Sequence, residues 1–336
     1  FEAQDMTMGE PWQKIVSFAV PLLIGNIAQQ LYNTADSVIV GKYVGDNALA
    51  AVGGCGPTLN LLIVLFVGIA TGASIMVAQY FGAKKKEELS YAVGTCMVLT
   101  LIASLFMMVL GTAVSAPMLR MLGTPEETYD MCVSYMQIIF LGIAGGGFYN
   151  ILSGVLRGLG DSMSALKYLV IAALLNIVLD LVFVAQFNMG VAGVAIATDL
   201  AQFISAGLCA WKLFAMRDVM HLQRKHFGFH RDYAMQLVRL GLPSGLSQAV
   251  MSCSALVVQS LTNSFGAVFV ACNTIVMRVD GFVMMPNFSF GNAMTTFTGQ
   301  NIGAGRMDRV VEGAKSGLKL AVGTAVVLVV CILLAG

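Results

Sequence analysis

Nine apolar runs, each long enough to cross a lipid bilayer, fill most of this 336-residue chain. A crossing helix needs about 20 residues, and the runs cover 14–41, 48–82, 88–117, 129–156, 164–186, 191–215, 233–263, 268–302 and 310–335. With 57% hydrophobic and 11% charged residues, the chain cannot supply the polar surface that water demands; soluble domains average about 25% charged residues. In lipid every backbone polar group must be satisfied internally, so such runs are helices. The expected fold class is an all-α polytopic membrane protein with about nine transmembrane helices. Pro21 and Pro286 lie inside two runs and are expected to kink them.

The basic residues orient the runs. Sixteen of the 19 Lys and Arg fall near the N-terminus or in and beside the even-numbered connections, among them Lys84, Lys85, Lys86, Arg157, Arg224, Lys225, Arg306 and Arg309. The odd-numbered connections hold Lys42 and Arg120, and Arg278 lies within a run. That asymmetry predicts a cytoplasmic N-terminus. The expected domains are a cytoplasmic tail at 1–13, a first lobe of six helices at 14–215, a cytoplasmic linker at 216–232, and half of a second lobe at 233–336. The linker holds His221, His226 and His230, read as parts of a solvated stretch and not as a metal site.

An internal repeat underlies that division. Gln79-Tyr80-Phe81-Gly82-Ala83 and Gln300-Asn301-Ile302-Gly303-Ala304 lie 221 residues apart, as do Gly45 and Gly266, and Pro21 and Pro243 lie 222 apart. The repeat unit spans six runs. Six is even, so both copies insert the same way, giving two six-helix lobes related by a pseudo-two-fold axis along the membrane normal. The second copy shows three runs before Gly336, so it is incomplete and about three further helices are expected.

Few ionisable groups are read at bilayer depth: Asp36, Asp180, Asp199, Arg278 and Asp280. Each costs about 2.5–3.5 kcal/mol to place at bilayer depth, which makes it a functional candidate. Asn176 and Asp180 stand four apart and share a helix face. Two carboxylates and an amide can bind a hard cation through oxygen or take up a proton. Arg278 and Asp280, two apart, do not face each other; they pair with other helices or line water. Asp199 is left open. The seven cysteines show no CxxC spacing and read as small buried hydrophobes, not disulfides or metal ligands. No phosphate-binding loop, HExxH or GxSxG occurs, so neither an enzyme nor a cofactor is expected. A net charge of +1 without a basic stripe gives no sign of a nucleic-acid partner.

Three stretches resemble a known family. Phe18-Ala19-Val20-Pro21-Leu22-Leu23-Ile24-Gly25-Asn26, followed by Gln29-Gln30-Leu31-Tyr32-Asn33-Thr34-Ala35-Asp36 and Val40-Gly41-Lys42-Tyr43-Val44-Gly45, resembles the first helix of bacterial multidrug and toxic compound extrusion (MATE) transporters. Leu156-Arg157-Gly158-Leu159-Gly160-Asp161 is similar to the connection after their fourth helix, and Gln300–Gly305 to the end of their eighth. The resemblance implies secondary active antiport: export of cationic or amphipathic compounds in exchange for Na⁺ or H⁺, by alternating access, from a monomer in the bacterial inner membrane. It places the family's cation- or proton-binding residues on Asp36, Asn176, Asp180 and Thr198, its fourth-helix tyrosine on Tyr135, and its bending proline on Pro21. Cavity or gating roles are expected for Tyr135, Pro21, Arg278 and Asp280. The seventh-helix glutamate of another branch has no counterpart in Val250–Ser254. A lipid-linked oligosaccharide flippase of the same superfamily is the alternative. Its phosphate-bearing cargo would call for basic spans, whereas these hold one arginine against four aspartates.

Overall fold

The computed structural model describes residues 3–335 apart from 122 and 266; the side chains at 57, 58, 61, 62, 65, 256, 259, 260, 263, 264, 267–272, 274, 275, 278, 332 and 335 also lie outside the description. Among the described residues ten α-helices follow in order: α1 (Pro11–Tyr43), α2 (Asp46–Gly82), α3 (Lys86–Met121), α4 (Glu126–Leu141), α5 (Ile143–Gly158), α6 (Ser162–Asp180), α7 (Gly190–Ala215), α8 (Arg231–Ser264), α9 (Ala267–Gly303) and α10 (Met307–Ala335). A π-helical turn, Leu181–Gln186, continues α6, and one 3₁₀ turn, Arg224–His226, interrupts the linker. No strand occurs among the described residues.

Five helical segments are long and apolar enough to cross a membrane by themselves: α1, α3, α6 with its π turn, α7 and α10. The α4–α5 pair is long and apolar enough only when taken together, and it is bent by 52° at its break. Helices α2, α8 and α9, each with several side chains outside the description, are 37, 34 and 37 residues long. The chain is a multi-pass membrane protein, and large apolar side chains such as Leu31, Val109, Leu174, Leu246 and Leu318 are correspondingly exposed.

Two local expectations need correction. The run at 129–156 is not one straight helix: it breaks at Gly142, where the Asp199 carboxyl of α7 packs so closely that an added Cβ would overlap it. Pro21 and Pro286 lie inside α1 and α9, which run on as helix through them; a proline costs one intrahelical hydrogen bond and can bend a helix without ending it. The expectation that the cysteines are buried fails in part: Cys55, Cys96, Cys132 and Cys209 are buried, Cys253 and Cys331 are exposed, and the side chain of Cys272 lies outside the described residues.

The two halves of the repeat meet along α1, α2, α8 and α9. Gly68 and Gly72 of α2 lie against Gly241 and Gly245 of α8, bringing the helix backbones together. At the end of the bundle that carries the N-terminus, α2 and α9 cross reciprocally. A Cβ on Gly82 would overlap the Gln300 backbone, and one on Gly303 would overlap the Gln79 backbone. Glycine is required at both positions by that approach.

The linker is not merely solvated. His226 is fully buried at 0% exposure, its ring edge-on to Tyr91 of α3 with centroids 4.6 Å apart. Its Nδ1 accepts from the Gln223 backbone N–H at 3.0 Å. The His221 N–H donates to Ser90 Oγ at 3.2 Å, and Lys86 Nζ donates to the Asp218 carbonyl at 2.6 Å. Lys225 also pairs with Glu87 at 2.6 Å, and this hydrogen bond to the ammonium holds the exposed Glu87 carboxyl below the usual glutamate range.

Candidate functional site

The polar cluster within the first half is assembled from α1, α4, α6 and α7. Asn176 and Asp180 occupy one face at the end of α6 and are 1% and 0% exposed. The helix widens into its π turn immediately after Asp180, a distortion that recurs at functional positions. A carboxylate can only accept, so the Asn176 amide turns its NH₂ toward it. Asn176 then donates to Asp180 Oδ2 at 2.8 Å, while its carbonyl accepts from the Thr198 backbone N–H at 3.1 Å. Three predicted residues are thus joined.

Asp36 approaches from α1, and its carboxyl stands within hydrogen-bonding reach of that of Asp180. One turn earlier on the same helix, the Tyr32 hydroxyl meets the Thr198 side chain. Tyr135 of α4 is buried and faces the same group. A small cavity lined by Gln29, Tyr32, Ala172, Ala173, Asn176 and Gln202 adjoins it. Asp36 Oδ1 and Asp180 Oδ1 are buried yet have no protein hydrogen-bond donor.

That combination decides what the cluster can do. Buried polar groups are nearly always satisfied, and two adjacent carboxylates in a low-dielectric interior repel unless a positive charge lies between them. A proton shared by the pair, or a small hard cation, removes both difficulties. The donors are all oxygen or amide groups, which suit H⁺ or Na⁺ and not a thiophilic metal. No cluster of three or more His, Cys, Asp or Glu fit to hold a metal ion occurs among the described residues.

The remaining candidates lie apart from this cluster or on its margin. Pro21 is buried in α1, and Asp280 is exposed on α9. The Arg278 side chain lies outside the described residues. Asp199, which the sequence left open, follows Thr198 and reaches the α4–α5 break at Gly142. Sequence reasoning passed over Tyr32. Its signal was the four-residue spacing to Asp36, the same spacing that singled out Asn176 and Asp180.

The chain matches the MatE family model over residues 21–182 and 243–336. It is 31% identical to the "Probable multidrug resistance protein YpnP" of Bacillus subtilis (strain 168), over 92% of this chain and 69% of that protein. It superposes with a TM-score of 0.93 on a transporter of the MOP superfamily from Pyrococcus furiosus, at 29% identity, covering 100% of this chain and 75% of that one. A structure described as the outward-facing conformation of a multidrug resistance MATE family transporter gives a TM-score of 0.91 at 28% identity, covering 99% of this chain and 74% of that one.

Proposed function

The chain belongs to the MatE family of transporters, and on that premise we propose that it exports cationic or amphipathic compounds across the bacterial inner membrane in exchange for inward-moving Na⁺ or H⁺. Asp36 and Asp180 are the coupling pair, with Asn176 and Thr198 positioning Asp180, and Tyr32 and Tyr135 closing the cluster. The single observation that carries this reading is the meeting of two buried carboxylates from different helices, each with an oxygen that no protein group satisfies.

The mechanism follows from electrostatics. With the pair charged, α1 and α6 repel at this point; a cation or proton between them draws the two helices together. A bound ion shifts the balance between outward- and inward-open states only by as much as it prefers one of them. The coupling pair spans two helices, and α1 also packs against α9 in the other half, so a change in its charge state acts on the interface between the halves. The N-terminus and linker face the cytoplasm in this reading, because that end carries the excess of Lys and Arg. It treats the protein as a monomer and residues 14–215 and 233–336 as parts of two lobes.

Reconstituted vesicles loaded with a cationic dye test the proposal. Inward Na⁺ and proton gradients are imposed separately, and dye efflux is followed. Efflux driven by at least one of them is expected. Efflux indifferent to both would reject ion coupling.

A further inference from the structure

Residues 3–10 precede α1 without regular secondary structure, yet Met6 is 0% exposed. It packs in a separate apolar cluster with Ile15, Phe18 and Ala19 of α1 and Ala293 and Phe297 of α9. Side chains from the second half grip the backbone around it. Gln300 Oε1 accepts from the Met6 N–H at 2.8 Å, and Asn301 Nδ2 donates to the Met6 carbonyl at 3.3 Å. Arg309 Nη2 donates to the Gly9 carbonyl at 2.7 Å and to that of Met6 at 3.4 Å, while Arg306 Nη1 donates to the Thr7 carbonyl at 3.0 Å. Charged donors make these bonds stronger than neutral ones.

The same segment also touches the first half. Gly160, at φ 84°, lies against the Gln4 backbone with no room for a Cβ. Gln300, which holds Met6, donates through Nε2 to the Gly158 carbonyl at 3.1 Å. Gln300 is also the residue whose backbone meets Gly82 at the α2–α9 crossing. A single short segment therefore links the turn after α5 to α9 and α10, beside the α2–α9 crossing.

We propose that residues 3–10 form a clasp that locks the halves together at this end, with Met6 as its plug and Arg309 as its catch, and that the protein opens toward this side only when Met6 withdraws. The direction of opening rests on the exporter reading; the locking does not. Met6 is packed against α1 of one half and α9 of the other, so it cannot keep both contacts while those two helices separate. One or the other attachment must break.

The test measures the separation directly. Spin labels are placed at Lys85→Cys and Ala304→Cys, one on each half, in a cysteine-free background, and double electron–electron resonance reads their distance distribution. In otherwise unaltered protein a dominant short distance is expected. Met6→Asp, which forces a charge into the plug site, and the milder Arg309→Lys, which keeps the charge but loses the planar fork, should both shift population to longer distances. The shift should be larger for Met6→Asp. An unchanged distribution in Arg309→Lys, or in correctly folded Met6→Asp, overturns the clasp. A second arm tethers the plug by a disulfide between Met6→Cys and Ala293→Cys. Oxidation should stop dye efflux and reduction should restore it, whereas undiminished efflux from the oxidised protein also overturns the clasp. If protein without these substitutions exports nothing, the exporter reading fails, and the distance measurement still decides the clasp.

Discussion

Two polar regions lie between packed helices in this molecule, and they are built in opposite ways. At the crossing of α2 and α9, Gln300 and Asn301 are fully buried, and both make hydrogen bonds to neighbouring backbone or side-chain groups. In the α1–α6 cluster, Asp36 and Asp180 each keep a buried oxygen without a donor. Satisfied buried networks rigidify a structure, and unsatisfied ones cost it stability. The contrast separates a region arranged to hold from a region arranged to receive a positive charge.

The sharpest way to break that contrast is to neutralise the receiving region. Asp180→Asn keeps an oxygen that can accept from Asn176 and so should fold, but it removes a charge from the pair. Ion-driven efflux in vesicles should fall by about two orders of magnitude, the scale associated with a few kcal/mol at a buried charged pair. Efflux within a factor of two of the unaltered protein would show that Asp180 is no part of the coupling.

Next in size is the holding region. Gly303→Val places a branched side chain on the Gln79 backbone, and overpacking of this kind costs about 1–3 kcal/mol. Thermal unfolding should begin several degrees lower. Gly146→Ala, with open space at its Cβ, should stay within about 0.5 kcal/mol. Equal losses from the two substitutions would mean that the crossing is not close-packed.

Gly142→Ala should act between these extremes. Its methyl would collide with Asp199 and change the α4–α5 break. A partial fall in efflux rate with preserved helicity is the expected outcome, with circular dichroism as the check.

The smallest effect belongs to Glu87→Gln at the linker. The bond from Lys225 holds the Glu87 carboxyl below its ordinary value, which lies near ~4.3 in free glutamate. The contribution of this pair is therefore present above that ordinary value and is lost as pH falls through the lower, folded one. Hydrogen-exchange protection in 216–230, referred to the intrinsic rate at each pH, should fall on acidification through that window in the unaltered protein. In Glu87→Gln it should show a smaller change.

Much of this architecture was legible in sequence because it depends on local composition. Long apolar runs, a carboxylate inside one of them and a polar pair at four-residue spacing need no knowledge of neighbours. The features that stayed hidden depend on groups brought from far along the chain. The break at Gly142 involves Asp199, 57 residues away, and the Gly82 contact involves Gln300. His226 sits in a stretch whose polarity reads as solvent, yet Tyr91 and the 3₁₀ turn enclose it. The N-terminal residues looked like an unremarkable tail because a single methionine carries no periodic signal. Asp36, Asn176 and Asp180 stood out by residue type, whereas Tyr32 was lost among ordinary aromatic residues.

The account rests on the charge of one side chain. Dye efflux from energised vesicles, with Na⁺ and proton gradients imposed together, should be lost in Asp36→Asn while the protein remains monodisperse and equally helical. Efflux at the unaltered rate from that variant would contradict it.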